Sequence, residues 1–183
     1  MDIAIKRPES VFEVFIRNFL RKKEDLVYRE EKVIEKGISM RQALDRIGEE
    51  LCAEINGRTL HIIDAYFSPS NSIGTPECCA DELFAWACQY GISKIVLHNN
   101  KEGNEFAKSC IERFDGQIPF TVEKCTRKIH DRFWVVEKEG CYAGVMVGSS
   151  LSGIGKNFTV VCKICDKDLE HLIDILHDYD IEI

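Results

Sequence analysis

The sequence lacks any apolar stretch close to the ~20 residues that a membrane-spanning helix needs. It also lacks an internal repeat and a low-complexity segment, which excludes solenoid and mucin-like proteins. Four prolines and twelve glycines among 183 residues exclude a collagen-like chain, and an apolar content of 45% excludes intrinsic disorder. We therefore expect one globular domain, with or without a small helical appendage.

A secretory pattern is also missing at the N-terminus. Asp2, Lys6 and Arg7 are not followed by the apolar core of a signal peptide. The chain nevertheless has nine cysteines, an odd number that does not suit a disulfide framework. We therefore expect a cytoplasmic protein whose cysteines are free thiols.

Positive charge is scarce. The 24 basic side chains are outnumbered by 31 acidic ones, and the net charge of −7 argues against an indiscriminate binder of polyanions. Much of the acidity lies in residues 166–183, which contain one base, Lys167. A local basic cluster exists elsewhere, within nine residues: Lys124, Arg127, Lys128 and Arg132. A basic site on an acidic protein is therefore still compatible with the composition.

Apolar residues at helical spacing predict a helical N-terminal region over residues 1–57. A sparse apolar stripe that includes Val33 and Ile34 belongs to this region. Ser39 and Gln42 have the spacing of a capping box and should begin its last helix. We expect this region to pack on the rest of the protein or on a protein partner.

Residues 58–183 alternate between strand and helix patterns and then continue with strands alone before a final helix. Thr75 followed by Pro76 is a typical helix start. This order predicts an α/β domain, a mixed β-sheet flanked by helices. The predicted strands cover residues 60–65, 92–97, 118–126, 132–137, 141–147 and 158–164.

The segment from His130 onward carries the chemistry. His130 and Arg132 lie two residues apart at the start of a predicted strand, so their side chains point the same way. The next strand leads into the Gly-Ser-Ser of residues 148–150, and Lys156 follows a glycine-rich loop. An imidazole, a guanidinium and hydroxyls at neighbouring strand ends are the groups that phosphoryl transfer needs.

This stretch resembles the phospholipase D superfamily, whose signature is HxK(x)4D followed by a Gly-Ser turn. His130, Arg132 and Glu137 keep that spacing, with arginine for lysine and glutamate for aspartate. The strand LHIIDAYFSPS is similar to the first strand of such domains. The sequence HDRFW…GSSLSGIGK is similar to that of small phospholipase D-like proteins of prokaryotic genomes and mobile elements. The resemblance covers residues 58–180.

The resemblance implies a phospholipase D-like fold and a metal-independent phosphodiesterase without cofactors, most readily a nuclease acting on DNA or RNA. His130 would form a phosphohistidine while a second His130 acts as the acid, which implies a homodimer. Arg132 and either Ser149 or Ser150 would hold the phosphoryl oxygens, and Glu137 would form an internal ion pair with Arg132. Lipid cleavage is less favoured, because no interfacial membrane helix is visible.

Weaker substrate-binding candidates are Asp64, Tyr66 and His98, which fall at the C-terminal ends of predicted strands, where α/β sheets bind ligands. Lys156 is a further candidate for contact with phosphate.

Two other function classes remain open. A catalytically inactive binding module is favoured by Leu151 and Ser152, which stand where the family's turn has an asparagine. A zinc or thiol protein is suggested by Cys162 and Cys165, which precede two histidines. The spacing to those histidines is too short for a zinc finger, so we expect buried free cysteines instead.

Overall fold

The computed structural model describes residues 32–51, 56–68, 74–99, 104–125, 129–154 and 157–183, without the side chain of Ser152. Within these ranges the chain forms seven strands and four α-helices. The strands are β1 (Lys32–Ile34), β2 (Thr59–Ile63), β3 (Lys94–Asn99), β4 (Phe120–Lys124), β5 (Phe133–Lys138), β6 (Cys141–Val147) and β7 (Thr159–Lys163). The helices are α1 (Met40–Leu51), α2 (Pro76–Tyr90), α3 (Glu105–Phe114) and α4 (Asp166–Asp178).

The seven strands form one sheet in the order β1-β7-β6-β5-β2-β3-β4. The pairs β2–β3 and β3–β4 are parallel, and every other neighbouring pair is antiparallel. The strand–helix crossovers produce the parallel part, and the helix-free run from β5 to β6 produces antiparallel pairs. The predicted fold class, a mixed β-sheet flanked by helices, is confirmed.

Helices cover both faces of the sheet. Consecutive residues of β2 show this division. Ile62 belongs to the large core beneath α1, α2 and α3, whereas Ile63 belongs to a smaller core beneath α4. α4 contributes Leu169, Ile173 and Leu176 to the smaller core. The sheet is therefore the middle layer, and its strand ends are free to carry a site.

Helix starts follow the capping residues that the sequence contains. The Ser39 hydroxyl accepts from the Gln42 backbone N–H at 3.2 Å, and the Ser39 N–H donates to the Gln42 side chain at 2.9 Å, which completes the predicted capping box. Thr75 caps α2 by accepting from the Cys78 N–H at 3.3 Å. These local signals are confirmed.

The N-terminal region contains one correction. Residues 32–34 lie within the region that we predicted to be helical, yet they form β1 and pair antiparallel with β7. Val33 and Ile34 are β-branched and suit a strand, and two apolar residues are too few to establish a helical period. Residues 1–31 lie outside the described residues, so the division at residue 57 and a partner role for this region remain predictions.

α1 packs on the same sheet as the rest of the protein. Leu44, Ile47 and Leu51 are fully buried in the large core. No helix among the described residues combines the length and the hydropathy that crossing a bilayer requires.

Candidate active site

Several strand ends meet at one edge of the sheet, which we call the site edge. β2, β3 and β4 end there, β5 and β7 begin there, and β6 ends there. The Val147 N–H donates to the Arg132 carbonyl at 3.0 Å, and the Gly148 N–H donates to the Val160 carbonyl at 2.9 Å. These bonds hold the segment before β5 and the turn after β6 side by side, as the sequence predicted.

Asp64 connects these two segments. Its carboxylate accepts from the Tyr66 N–H at 2.8 Å and from the Leu151 N–H at 3.3 Å, and its Oδ1 lies 3.9 Å from Arg132 Nε. The side chain is 2% exposed, and burial raises its pKa while the two N–H donors and Arg132 act in the opposite direction. Asp64 therefore contacts the serine-containing turn through Leu151 and lies beside the guanidinium of Arg132.

The turn itself, residues 148–153, is called the serine turn here. Its glycines allow close approach, because a Cβ on Gly148 would lie 3.0 Å from Thr159 Oγ1 and one on Gly153 would lie 3.1 Å from Ser149 Oγ. Ser150 is buried and precedes a short 3₁₀ turn over Leu151–Gly153. The serine turn thus folds tightly over the hydroxyls of Ser149 and Thr159.

Buried polar atoms without hydrogen bonds are concentrated at the site edge. Arg132 Nε, Ser149 Oγ and Thr159 Oγ1 are buried and have no hydrogen-bond partner within the described part of the chain. Such groups are uncommon in native structures, and each requires an explanation. All three can donate, so each is a candidate for holding an anionic ligand at this edge.

His130 lies on the segment that leads into β5, two residues before Arg132, and its side chain is exposed. Its imidazole is therefore open to solvent on the segment that carries Arg132. The structure therefore brings His130, Arg132, Ser149 and Ser150 to one edge, as the motif predicted.

Glu137 is not brought to this edge. It lies near the far end of β5, five residues or about 16 Å along the strand from Arg132. Its carboxylate accepts from the Gly140 N–H at 3.0 Å in the hairpin turn. The predicted ion pair between Glu137 and Arg132 is wrong, because Asp64 occupies that place beside Arg132.

The weaker candidates have different locations. Tyr66 lies at the site edge and is 44% exposed. His98 was predicted at the C-terminal end of a strand and is the penultimate residue of β3. Its ring is 1% exposed and contacts His61, with His61 Nδ1 and His98 Nε2 3.1 Å apart. Lys156 lies outside the described residues.

The cysteines of the described ranges carry free thiols. Cys162 is half-buried, and exposed Cys165 donates from Sγ to Asp168 at 3.1 Å. Within the described ranges no three His, Cys, Asp or Glu side chains come together in a way that could hold a metal ion.

Sequence reasoning missed Thr159 and understated Asp64. Thr159 begins β7 and neighbours the serine turn only through strand pairing, which the motif spacing does not reveal. A signal was present in the hydroxyl residue that precedes the apolar Val160 and Val161 of this strand. Asp64 had been considered only as a ligand contact.

Comparison with known proteins shows weak structural likeness alone. No family model and no curated protein sequence matches the chain. Polyphosphate kinase from Porphyromonas gingivalis matches 89% of this chain and 24% of its own, at 13% identity and a TM-score of 0.48. TrmBL2, an archaeal chromatin protein with a novel mode of DNA binding, matches 92% of this chain and 58% of its own, at 13% identity and a TM-score of 0.43. This chain spans less than two thirds of either neighbour, and neither likeness assigns a substrate or partner.

Proposed function

We propose that this chain is a metal-independent phosphodiesterase of the phospholipase D type that cleaves nucleic acid. The observation that carries the proposal is a set of buried donors on Arg132, Ser149 and Thr159 that make no hydrogen bond to the described residues, on the edge that also carries exposed His130. A phosphodiester is an anion with two unesterified oxygens that such donors can hold.

In the first step an imidazole nitrogen of His130 attacks phosphorus, and a P–N bond forms while the P–O bond to the leaving group breaks. The leaving oxygen takes a proton from a second histidine, His130 of the partner subunit. Arg132 and the serine-turn hydroxyl stabilise the charge on the equatorial oxygens. Asp64 is the positioning residue that keeps the guanidinium in place.

In the second step water attacks the phosphohistidine, and the partner's His130 accepts the proton of that water. The P–N bond breaks, and the free imidazole of the first His130 is restored. Two histidines on opposite sides of phosphorus are therefore required, and one chain supplies a single copy. A two-fold axis beside the site edge provides the second copy.

Nucleic acid is favoured over lipid as the diester. Lys124 ends β4 at the site edge, and Arg127 and Lys128 follow it in the sequence. Lys124 and the two bases that follow it form a local basic cluster in the sequence of an otherwise acidic chain, which suits a polyanion bound locally. DNA and RNA both satisfy this chemistry.

The second candidate function is a binding module that uses the same anion site without turnover. Leu151 supports this function. It stands near the position at which the family's turn has an asparagine, and its backbone N–H donates to Asp64. Binding alone does not separate the two functions, but a covalent intermediate does.

The experiment is capture of that intermediate. The protein is mixed with an end-labelled oligonucleotide, denatured in alkali and digested, and the peptides are analysed by mass spectrometry. We expect a phosphoryl-nucleotide adduct on His130 that is missing from His130→Ala. Cleavage products without an adduct on His130, or an adduct on another residue, would contradict the proposal.

A further inference from the structure

Exposed aromatic rings occur at the site edge and nowhere else in the described part of the chain. Six large apolar side chains are exposed among all the described residues: Val33, Tyr66, Ile111, Val122, Phe158 and Ile175. Single exposed aliphatic residues are ordinary. The two aromatic members, Phe158 at 73% and Tyr66 at 44% exposure, both lie at the site edge.

The strand order places these rings on opposite sides of the anion site. Phe158 directly precedes β7, the serine turn follows β6, Arg132 precedes β5, and Tyr66 follows β2. Those strands are adjacent in the order β7-β6-β5-β2. Three strand spacings separate the outer two, about 14 Å. The phosphate-binding groups therefore lie between one aromatic ring and the other.

The backbone holds both rings at the surface. Asn157, next to Phe158, donates its N–H to the Gly153 carbonyl at 3.0 Å, and Thr159 on the other side is buried. Phe158 is thus fixed between two anchored neighbours. Tyr66 donates its N–H to Asp64, the same carboxylate that positions Arg132.

We propose that Phe158 and Tyr66 stack on the bases that flank the bound phosphate, so that the substrate is single-stranded nucleic acid. This inference rests on the proposed function of the same site. An aromatic ring stacks on the face of a base that is unpaired, and a duplex keeps those faces inside its own stack. Stacking of this kind tolerates any base, so we infer little sequence preference.

The other occupant to consider is a second copy of this chain, since the dimer axis lies near the site edge. Phe158 as a subunit contact would bind no base, and its removal would weaken the dimer. The experiment separates these two roles by measuring oligomeric state alongside binding.

The test measures binding by fluorescence anisotropy in the cleavage-deficient His130→Ala protein. The probes are an oligothymidylate of about twelve nucleotides, an abasic oligomer of equal length and a duplex. Phe158→Ala should weaken binding of the oligothymidylate roughly five- to 150-fold and leave the abasic oligomer unchanged. Tyr66→Ala should act the same way. Phe158→Leu keeps apolar bulk without a π face and should bind the oligothymidylate almost as weakly as Phe158→Ala does. Ile111→Ala on α3 is the control and should bind the oligothymidylate as tightly as the parent protein does.

Several results would overturn the inference. One is a Phe158→Ala protein that binds the oligothymidylate as tightly as the parent protein does, and another is a parent that binds the duplex more tightly than the oligothymidylate. The other two results are a parent that binds neither oligomer and a Phe158→Ala protein that light scattering shows to have lost the dimer. Failure of the proposed function is distinguishable from these. A protein with intact His130 that binds the oligothymidylate through Phe158 yet never cleaves it contradicts hydrolysis and supports stacking.

Discussion

At the scale of single residues, Asp64 is the buried carboxylate that we propose positions Arg132. Its oxygens accept from two backbone N–H groups and face Arg132, so its charge is matched on every side that the structure describes. Replacing it by asparagine keeps the shape and removes the charge. Two donors and a guanidinium would then face one oxygen and one amide group.

We therefore expect Asp64→Asn to lower kcat/KM about 100-fold, as a misplaced catalytic group does. The loss of a buried partner should also lower the free energy of unfolding by about 1–3 kcal/mol. Steady-state kinetics and thermal denaturation measure the two effects. Asp81→Asn, an exposed aspartate that pairs with Arg113 on the helical face, is the matched control and should change neither by much. Full activity in Asp64→Asn would remove its positioning role.

Arg132 is expected to bind the phosphoryl oxygens directly. Arg132→Ala should lose most activity, whereas Arg132→Lys should retain part of it, because a lysine restores the positive charge that the family usually has here. The lysine ammonium cannot reproduce a two-oxygen contact, so recovery should be incomplete. Initial rates of oligonucleotide cleavage measure this. Equal loss in both variants would show that the bidentate geometry is indispensable or that Arg132 is structural only.

The residue pattern predicted part of this site. His130 and Arg132 are two residues apart on the segment that leads into β5, so the sequence alone places them close together. Asp64 reaches Arg132 from another strand 68 positions earlier, and local spacing carries no trace of that contact. Glu137 matched the motif spacing, yet the length of an extended strand carries it away from the site.

At the scale of elements, β2 and β3 contain a buried histidine pair. His61 and His98 stack with their ring centroids 5.4 Å apart and share a hydrogen bond. The pKa of both is lowered to about 4, chiefly by burial, and at His98 the proximity of His61 contributes to that lowering. Glu123 lies 3.5 Å from His98 Nδ1 across the next strand.

This pair predicts a pH dependence of stability. The unfolded chain binds protons near pH 6.5 that the folded chain accepts only near pH 4, so stability is complete above pH 6.5 and declines as the pH falls towards 4. The slope is up to about 1.4 kcal/mol per pH unit for each histidine. Urea unfolding at several pH values measures it.

A double variant, His61→Gln with His98→Gln, should flatten this decline because glutamine does not titrate in that range. His171→Gln, at an exposed position on α4, should keep the slope of the natural protein. An unchanged slope in the double variant would show that other groups cause the acid instability.

Elements differed in how well the sequence predicted them. α1 and α2 begin where Ser39 and Thr75 place caps, because capping acts within three residues. β1 was missed because its three residues are stabilised by pairing with β7, more than 120 positions away. Local patterns predict local hydrogen bonds, and strand neighbours depend on the whole chain.

At the scale of the whole molecule, the proposed mechanism requires two copies of the chain. We expect light scattering to give twice the mass of one chain, and we expect activity to depend on both copies. Mixing the natural protein with excess His130→Ala should lower activity more steeply than dilution does, since mixed dimers carry one histidine per site. A fully active monomer, or activity that falls in proportion to dilution alone, would contradict the shared site.

The most direct test of the central claim is cleavage of a single-stranded oligonucleotide in excess EDTA by the natural protein and by His130→Ala. We predict that the natural protein cleaves at an undiminished rate, because Arg132 and the serine-turn hydroxyls supply the charge stabilisation. His130→Ala should fold normally and lose several orders of magnitude in rate, as loss of a nucleophile does, whereas His171→Ala should cleave normally. Cleavage that stops with EDTA, or a His130→Ala protein that cleaves at the natural rate, would contradict the account.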